Sequence, residues 1–157
     1  MRISVEINGT PHEGEVEPRT LLSDFIRHQA GLHGTRVGCE HGVCGACTVQ
    51  LDGEPIRSCL MLAVQADGRS LRTVEGLATD EDLHPLQREF QEKHALQCGF
   101  CTSGFLMSLE AFLRHNPDPG EQEIREALAG NICRCTGYEA MVEAVRSAAR
   151  ALTGASD

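Results

Sequence analysis

The eight cysteines of this 157-residue chain fall into two groups of four, one in each half of the sequence. Thiolates bind zinc and iron–sulfur clusters, whereas a disulfide between near neighbours such as Cys133 and Cys135 is strained. The N-terminus, MRISVEINGT, has no apolar export segment, so we expect a reducing, cytoplasmic location. Patterned cysteines in that compartment are more often metal ligands than disulfides. The cysteines therefore predict metal chemistry.

The first group has the spacing C-x4-C-x2-C-x11-C and comprises Cys39, Cys44, Cys47 and Cys59. A C-x4-C-x2-C run with a distant fourth cysteine is the plant-type spacing for a [2Fe–2S] cluster. The glycines in and beside this run are Gly38, Gly42 and Gly45. Without a Cβ atom, a glycine lets the backbone approach inorganic sulfide and donate amide hydrogen bonds to it. The pattern therefore predicts a first [2Fe–2S] cluster in this loop.

Two other metal sites compete for the first group. A structural zinc site usually has two short Cys-x2–4-Cys pairs, and the second short pair is missing here. Cys39-Glu40-His41 has the spacing that begins a Rieske site, but Cys44 and Cys47 stand where a second histidine is needed. We therefore interpret His41 as a surface histidine of the loop.

The second group has the spacing C-x2-C, 31 intervening residues and C-x-C, and comprises Cys98, Cys101, Cys133 and Cys135. Each pair precedes a predicted helix, and helix N-termini favour the negative charge of a cluster. A redox dithiol at Cys98 and Cys101 is an alternative, but it leaves the other pair without a role. A single site that uses all four cysteines is the simplest interpretation.

The elements that position the first group are predicted strands with one helix. RISVEI (2–7) alternates apolar and polar residues, Asn8-Gly9 indicates a tight hairpin turn, and 10–17 forms the return strand. A helix capped by Thr20 follows, and Gly31 ends it. Two further strands, 48–51 and 54–60, flank the turn Asp52-Gly53, and 70–74 is another strand. This pattern predicts a small mixed sheet with a helix across it.

The second half has helical periodicity and carries the second group. Apolar residues recur with helical spacing in 102–115 and 138–152, and shorter helices are predicted over 121–129 and from 82–85, with Pro85 in the first turn, to about His94. Four helices in a short segment predict a small four-helix bundle. We place the boundary between the halves near residues 74–82, which gives domains 1–76 and 77–157 in an α+β protein.

Composition excludes several classes of function. The formal net charge is −9, so no basic surface is available for nucleic acid. No apolar run approaches the roughly 18 residues that span a membrane. The chain has no G-x-G-x-x-G or P-loop motif and no candidate catalytic nucleophile with its base. We therefore expect a protein that carries electrons and has no substrate site of its own.

Three segments resemble the small iron–sulfur subunit of molybdenum hydroxylases, the xanthine dehydrogenase and carbon monoxide dehydrogenase family. They are CEHGVCGACTV (39–49), QCGFCTSG (97–104) and GNICRCTGY (130–138), and all eight cysteines fall within this family's pattern. The resemblance implies a plant-ferredoxin-like β-grasp domain followed by a four-helix bundle, each with one [2Fe–2S] cluster. It also implies that Gln97 and Cys135 approach a molybdopterin cofactor. Many relatives have proline where this chain has Ser103, a change from which we expect little effect on the cluster.

The resemblance further implies partner subunits. A large subunit would hold molybdopterin, a medium subunit would hold FAD, and the complex would be a dimer of heterotrimers. Electrons would pass from molybdopterin through the second cluster and then the first cluster to FAD. The alternatives are a free-standing two-cluster ferredoxin and a structural zinc or redox-sensing module. Arg134 either adds positive charge beside the second cluster or is an ordinary surface arginine.

Overall fold

A five-stranded mixed sheet forms the N-terminal half of the α+β structure. The computed structural model describes residues 1–79 and 82–154. The strands are β1 (Arg2–Ile7), β2 (Thr10–Glu15), β3 (Thr48–Leu51), β4 (Glu54–Arg57) and β5 (Ser70–Arg72). They lie in the order β2-β1-β5-β3-β4, in which β1 and β5 are parallel and the other neighbours are antiparallel. The predicted mixed sheet is confirmed.

Two tight turns set the registers of the hairpins. Asn8 and Gly9 have φ angles of 53° and 78°, and Asp52 and Gly53 have φ angles of 50° and 88°. Two consecutive positive φ angles are typical of the type I′ turn, whose twist matches that of the strands it joins. Both predicted turns are therefore confirmed, and they fix the pairing of β1 with β2 and of β3 with β4.

The helix that packs on the sheet differs from its prediction. A single α-turn, α1 (Leu22–Asp24), widens directly into a π-helical turn over Phe25–Gln29. Its N-cap residue is Leu21, which makes no side-chain capping bond, so the prediction that Thr20 caps the helix is wrong. The helix remains in place because its buried side chains pack into the apolar core under the sheet. Packing thus replaces capping as the source of its stability.

Four helices follow among residues 82–154 and enclose a second apolar core. They are α2 (Pro85–Glu92), α3 (Thr102–His115), α4 (Glu121–Leu128) and α5 (Glu139–Thr153). Phe90, Phe105, Leu109, Ile124 and Val145 are fully buried in this core. Its members come from all four helices, whereas the first core draws on the sheet and the helix that crosses it. No helix within the described part of the chain is long and apolar enough to cross a membrane.

Strand β4 is shorter than predicted. Residues 54–60 were expected as one strand, but β4 ends at Arg57 and a 3₁₀ turn covers Ser58–Leu60. This turn directs Cys59 inward, where the cysteine is 3% exposed. The predicted boundary between the halves includes residues 80 and 81, which lie outside the described residues.

Candidate metal centres

The first group of cysteines converges at one end of the sheet. The backbone N–H of Cys44 donates to Sγ of Cys39 at 3.4 Å. Cys47 and Cys59 are buried behind this pair, and their thiols lie within hydrogen-bonding reach of each other. Cys59 also lies close enough to Cys39 for their charges to interact. The loop and the 3₁₀ turn therefore bring together all four predicted ligands.

The two sides of this site have opposite effects on thiol pKa values. Hydrogen bonds from the backbone N–H groups of Cys44 and His41 lower the pKa of Cys39 to about 6. Burial and, after it, the neighbouring Cys47 together raise the pKa of Cys59 to about 11. A metal binds the deprotonated sulfur, so binding displaces the proton of Cys59 and meets Cys39 largely as thiolate at neutral pH.

The second group converges beside the N-terminus of α3. Burial and a hydrogen bond with Cys133 raise the pKa of Cys101 to about 12. A backbone N–H from Phe100 and a hydrogen bond with Cys135 lower the pKa of Cys98. Cys101 thus lies beside Cys133, and Cys98 lies close to both Cys133 and Cys135. The four sulfurs predicted to form one site are brought together from opposite ends of the helical half.

Tyr138 and Thr136 hold the C-x-C loop in place. The Tyr138 hydroxyl accepts a hydrogen bond from the backbone N–H of Cys133 at 2.8 Å, and its ring meets Phe105 edge-on at 6.1 Å. The backbone N–H of Thr136 donates to Sγ of Cys133 at 3.3 Å. Burial acts to raise the pKa of Cys133, but the hydrogen bonds from Thr136, from the backbone of Cys135 and from Cys101 together outweigh it, and the pKa is lowered. Tyr138 has a φ of 68°, an uncommon backbone conformation for a tyrosine that the loop imposes.

The space around both sites fits an iron–sulfur cluster. A Cβ atom on Gly38 would lie 3.3 Å from Sγ of Cys44, and one on Gly42 would lie 2.5 Å from the Leu60 side chain. The hydroxyls of Thr102 and Ser103, immediately after Cys101, are buried without a hydrogen-bond partner in the described structure. Buried hydroxyls nearly always have a partner, and the sulfurs of a cluster are acceptors. The close packing around the glycines of the first site and the buried Thr102 hydroxyl beside the second agree with the two clusters.

The other predicted site residues lie on the surface of the molecule. Nε2 of Gln97 donates to the backbone O of Cys135 at 3.1 Å, and both residues are exposed. The two residues that the resemblance assigns to molybdopterin therefore touch each other. His41 is exposed, as predicted, and its Nδ1 lies 2.5 Å from the backbone O of Cys39. Arg134 is exposed as well.

Direct hydrogen bonds join the two cysteine loops. The backbone N–H of Ile132 donates to the backbone O of Cys44 at 2.9 Å. The side chain of Asn131 donates to the backbone O of Gly45 at 2.9 Å. Neither contact was predicted from the sequence. The only signal available was the position of Asn131 and Ile132 immediately before Cys133, which says nothing about their partners.

The sulfurs of each group are arranged differently from the ligands of a single metal ion. Among residues 1–79 and 82–154, no group of three or more histidine, cysteine or acidic side chains is placed to hold a single metal ion. A [2Fe–2S] cluster takes two thiolates on each of two iron ions, so its four ligands surround a volume larger than one ion.

Two family models cover nearly the whole chain. A 2Fe-2S iron-sulfur cluster binding domain matches residues 5–78, and a [2Fe-2S] binding domain matches residues 73–146. With two groups of four converging cysteines, the chain is a protein that carries two [2Fe–2S] clusters. The models favour this assignment over the structural zinc site and the redox dithiol.

Named relatives and a solved structure give the family. The chain is 60% identical to the 6-hydroxypseudooxynicotine dehydrogenase complex subunit beta of Paenarthrobacter nicotinovorans, over 91% of this chain and 90% of the relative. It is 58% identical to the caffeine dehydrogenase subunit gamma of Pseudomonas sp. strain CBB1, over 92% and 89%. A chain of quinoline 2-oxidoreductase from Pseudomonas putida 86 matches with a TM-score of 0.92 and 52% identity, over 99% and 98%. The protein belongs to the small iron–sulfur subunits of the molybdenum hydroxylase, or xanthine dehydrogenase, family.

Proposed function

We propose that this chain conducts electrons between a molybdopterin-binding large subunit and an FAD-binding medium subunit. One cluster would be held by Cys39, Cys44, Cys47 and Cys59, and the other by Cys98, Cys101, Cys133 and Cys135. Each [2Fe–2S] cluster accepts and releases one electron at a time. The observation that carries the proposal is the direct contact between the two cysteine loops, the hydrogen bond from Ile132 to Cys44.

The exposure of the cysteines supports electron transfer from one surface of the protein to another. Cys98 and Cys135 are exposed, whereas Cys101 is buried, so the second site has one outward and one inward side. The outward side carries Gln97, bonded to Cys135, and would face the large subunit. The loop around Cys39 is the partly exposed side of the first site and would face the medium subunit. The hydrogen bond from Ile132 to Cys44 links the two loops and would help to hold both groups of thiolates at a fixed separation.

The finer architecture is part of the same proposal. We take the N-terminal unit, residues 1–76, as a β-grasp domain and the remainder, residues 77–157, as a four-helix bundle. The two separate apolar cores support this division. A cytoplasmic location and a dimer of heterotrimers complete the proposal, and the eight cysteines, none of which forms a disulfide, agree with a reducing compartment.

The relatives also suggest a class of substrate for the complete enzyme. The names of the two relatives and of the solved structure given above refer to 6-hydroxypseudooxynicotine, caffeine and quinoline. We therefore propose that the large subunit oxidises a nitrogen-containing aromatic compound. An assay of the complete enzyme with caffeine, nicotine, quinoline and benzaldehyde tests this: preferential turnover of benzaldehyde would contradict it.

Metal analysis and co-purification test the electron-transfer role. We expect about four iron ions and about four acid-labile sulfides per chain, from two [2Fe–2S] clusters. We also expect the chain to co-purify with molybdenum- and FAD-containing subunits. Stoichiometric zinc without sulfide would refute the clusters. Isolation as a stable monomer that never associates with a molybdenum subunit would support the free-standing ferredoxin instead.

A further inference from the structure

Asn131 is a buried polar residue at the junction of the two cysteine loops. Its side chain belongs to a residue that is 3% exposed, and its Nδ2 donates to the backbone O of Gly45 at 2.9 Å. Gly45 lies directly after Cys44, so the bond reaches the first cysteine loop from the second. The same carbonyl accepts from the Thr48 hydroxyl at 2.6 Å, which ties the loop to the start of β3.

The opposite side of the carboxamide is fixed by donors from two other elements. Oδ1 of Asn131 accepts from Ser108 Oγ on α3 at 3.1 Å and from Nη2 of Arg57 on β4 at 3.5 Å. Arg57 Nη2 also donates to the backbone O of Gly130 at 2.5 Å. These partners define the orientation of the amide, because a flipped group would direct its NH₂ at the guanidinium and hydroxyl donors.

The first loop has no room to move away from Asn131. A Cβ atom on Gly45 would lie 2.4 Å from Nδ2 of Asn131, so the loop backbone presses directly against the amide. The Gly45 carbonyl oxygen, which accepts from Asn131, would also lie 2.2 Å from a Cβ atom on Gly104. The loop is therefore packed closely against both Asn131 and the first turn of α3. Ile132, the next residue, adds the bond to Cys44.

We propose that Asn131 is a positioning residue that sets the separation and relative orientation of the two clusters. It acts through Gly45 and Cys44 on one side and through its own chain to Cys133 on the other. Because electron exchange and magnetic interaction between two centres both fall steeply with distance, Asn131 controls the rate of transfer between the clusters. This inference rests on the cluster assignment of the proposed function and names the residue that couples the two sites.

Two substitutions in the complete enzyme test the role. Asn131→Ala removes every side-chain bond, whereas Asn131→Asp keeps the size and the acceptor for Ser108 and Arg57 but replaces the donor to Gly45. We expect both variants to retain iron and sulfide and both paramagnetic signals. We expect a smaller magnetic splitting in the fully reduced enzyme, and severalfold slower transfer between clusters in rapid-freeze measurements.

A matched control separates this role from general stability. Asn116 follows the opposite end of α3 and donates from Nδ2 to Glu123 Oε1 at 3.0 Å, far from both cysteine loops. Asn116→Ala and Asn116→Asp should leave the splitting and the transfer rate unchanged, even where they lower the melting temperature. A merely structural role for Asn131 would make the two asparagines behave alike.

Three outcomes decide the matter. Wild-type splitting and rate in both Asn131 variants, with full clusters, would overturn the positioning role. If neither variant assembles clusters, Ser108→Ala decides, since it removes one bond to Oδ1 and leaves alanine, a good helix former, in α3. A reduced splitting in Ser108→Ala supports the role, and an unchanged splitting overturns it. A wild-type enzyme without two [2Fe–2S] signals would instead refute the proposed function.

Discussion

At the scale of single residues, Gly45 and Gly9 share a backbone conformation but differ in surroundings. Their φ angles are 75° and 78°, yet a Cβ atom on Gly9 would meet nothing within 4 Å. Alanine at either position costs about 1 kcal/mol for the left-handed conformation. Gly45→Ala must also displace the Asn131 side chain. We therefore expect its free energy of unfolding to fall by about 1–3 kcal/mol more, which is the cost typical of an overpacked core.

Urea unfolding of Gly45→Ala and Gly9→Ala, followed together with iron content, measures the difference. Gly9→Ala should keep its iron and show only the conformational cost. Gly45→Ala should lose more stability and shift the first cluster loop. Equal losses in the two variants would mean that the contact with Asn131 has no energetic consequence.

The cysteines make a second prediction at this scale. Cys135→Ala should abolish the paramagnetic signal of the second cluster and preserve that of the first, because the cysteines beside Cys135 in the described structure, Cys98 and Cys133, belong to the second group. Cys59→Ala should have the reciprocal effect, since its neighbours are Cys47 and Cys39. Electron paramagnetic resonance of the reduced variants checks both. Simultaneous loss of both signals in each variant would argue against two independently assembled sites.

At the scale of elements, α2 depends on an unusual cap. Nδ1 of His84 accepts from the backbone N–H of Leu86 at 3.2 Å, which only a neutral imidazole can do at that nitrogen. Burial lowers the pKa of His84 from its ordinary 6.5; Glu110 opposes this shift and Arg72 reinforces it. The unfolded chain therefore binds this proton more readily than the folded chain. Stability from this cap is complete above about pH 6.5 and declines as the pH falls toward the lower folded pKa.

His84→Asn tests the cap because asparagine accepts the same bond without titrating in this range. Melting temperatures measured from pH 8 to pH 5.5 should fall less steeply for His84→Asn than for the wild type. His28, an exposed residue, supplies the control, and His28→Asn should retain the wild-type slope. An unchanged slope in His84→Asn would show that other groups dominate the pH dependence.

Local sequence patterns predicted most of the elements. The turns at Asn8-Gly9 and Asp52-Gly53 and the helices α3 and α5 follow from turn chemistry and from helical periodicity. The predictions of secondary structure were wrong where tertiary contacts override the local conformational preference of the residues. The π-helical turn after α1 and the 3₁₀ turn at Ser58–Leu60 have no turn signature, since each exists to place buried side chains.

Contacts between distant segments were beyond local reasoning. The parallel pairing of β1 with β5 joins residues such as Ile7 and Leu71, and no periodicity specifies it. Cysteine spacing alone was enough to group the sulfurs, because loop spacing limits which ligands can meet. Asn131 and Glu110 look like ordinary polar residues in the sequence, and only the fold reveals that both are buried.

At the scale of the whole molecule, a polar seam joins the sheet to the helices. Glu110, on α3, has a side chain that is 7% exposed. It accepts from Gln50 on β3 at 2.5 Å and from Arg72 of β5 and Arg114 of α3, both at 3.1 Å. Arg114 also donates to the backbone O of Gly53. The seam fixes how the two halves pack, which places the two cysteine loops side by side.

Glu110→Gln tests how much the seam contributes, and Glu121→Gln is its matched control. Each glutamate pairs with two arginines, one of them four residues away in its own helix, but Glu121 is 52% exposed. Glu110→Gln should lower the free energy of unfolding by about 1–3 kcal/mol, because it leaves buried hydrogen-bond partners poorly matched. Glu121→Gln should have little effect, since exposed pairs are screened by solvent.

The pH dependence of that loss distinguishes a charge effect from a change of shape. Burial acts to raise the pKa of Glu110, but the hydrogen bond from Gln50 and the charges of Arg114 and Arg72 outweigh it, so the pKa lies below the ordinary 4.5. A carboxylate with a lowered pKa contributes its full stability above about pH 4.5 and loses it as the pH falls through the folded pKa. Because Glu110 also opposes the pKa shift of His84, the comparison is made in the His84→Asn background, where the difference that Glu110→Gln makes in thermal unfolding should be constant from pH 8 to pH 6. This difference in stability should shrink only below about pH 4.5. If Glu110→Gln is still equally destabilising at pH 3.5, the loss of stability comes from packing.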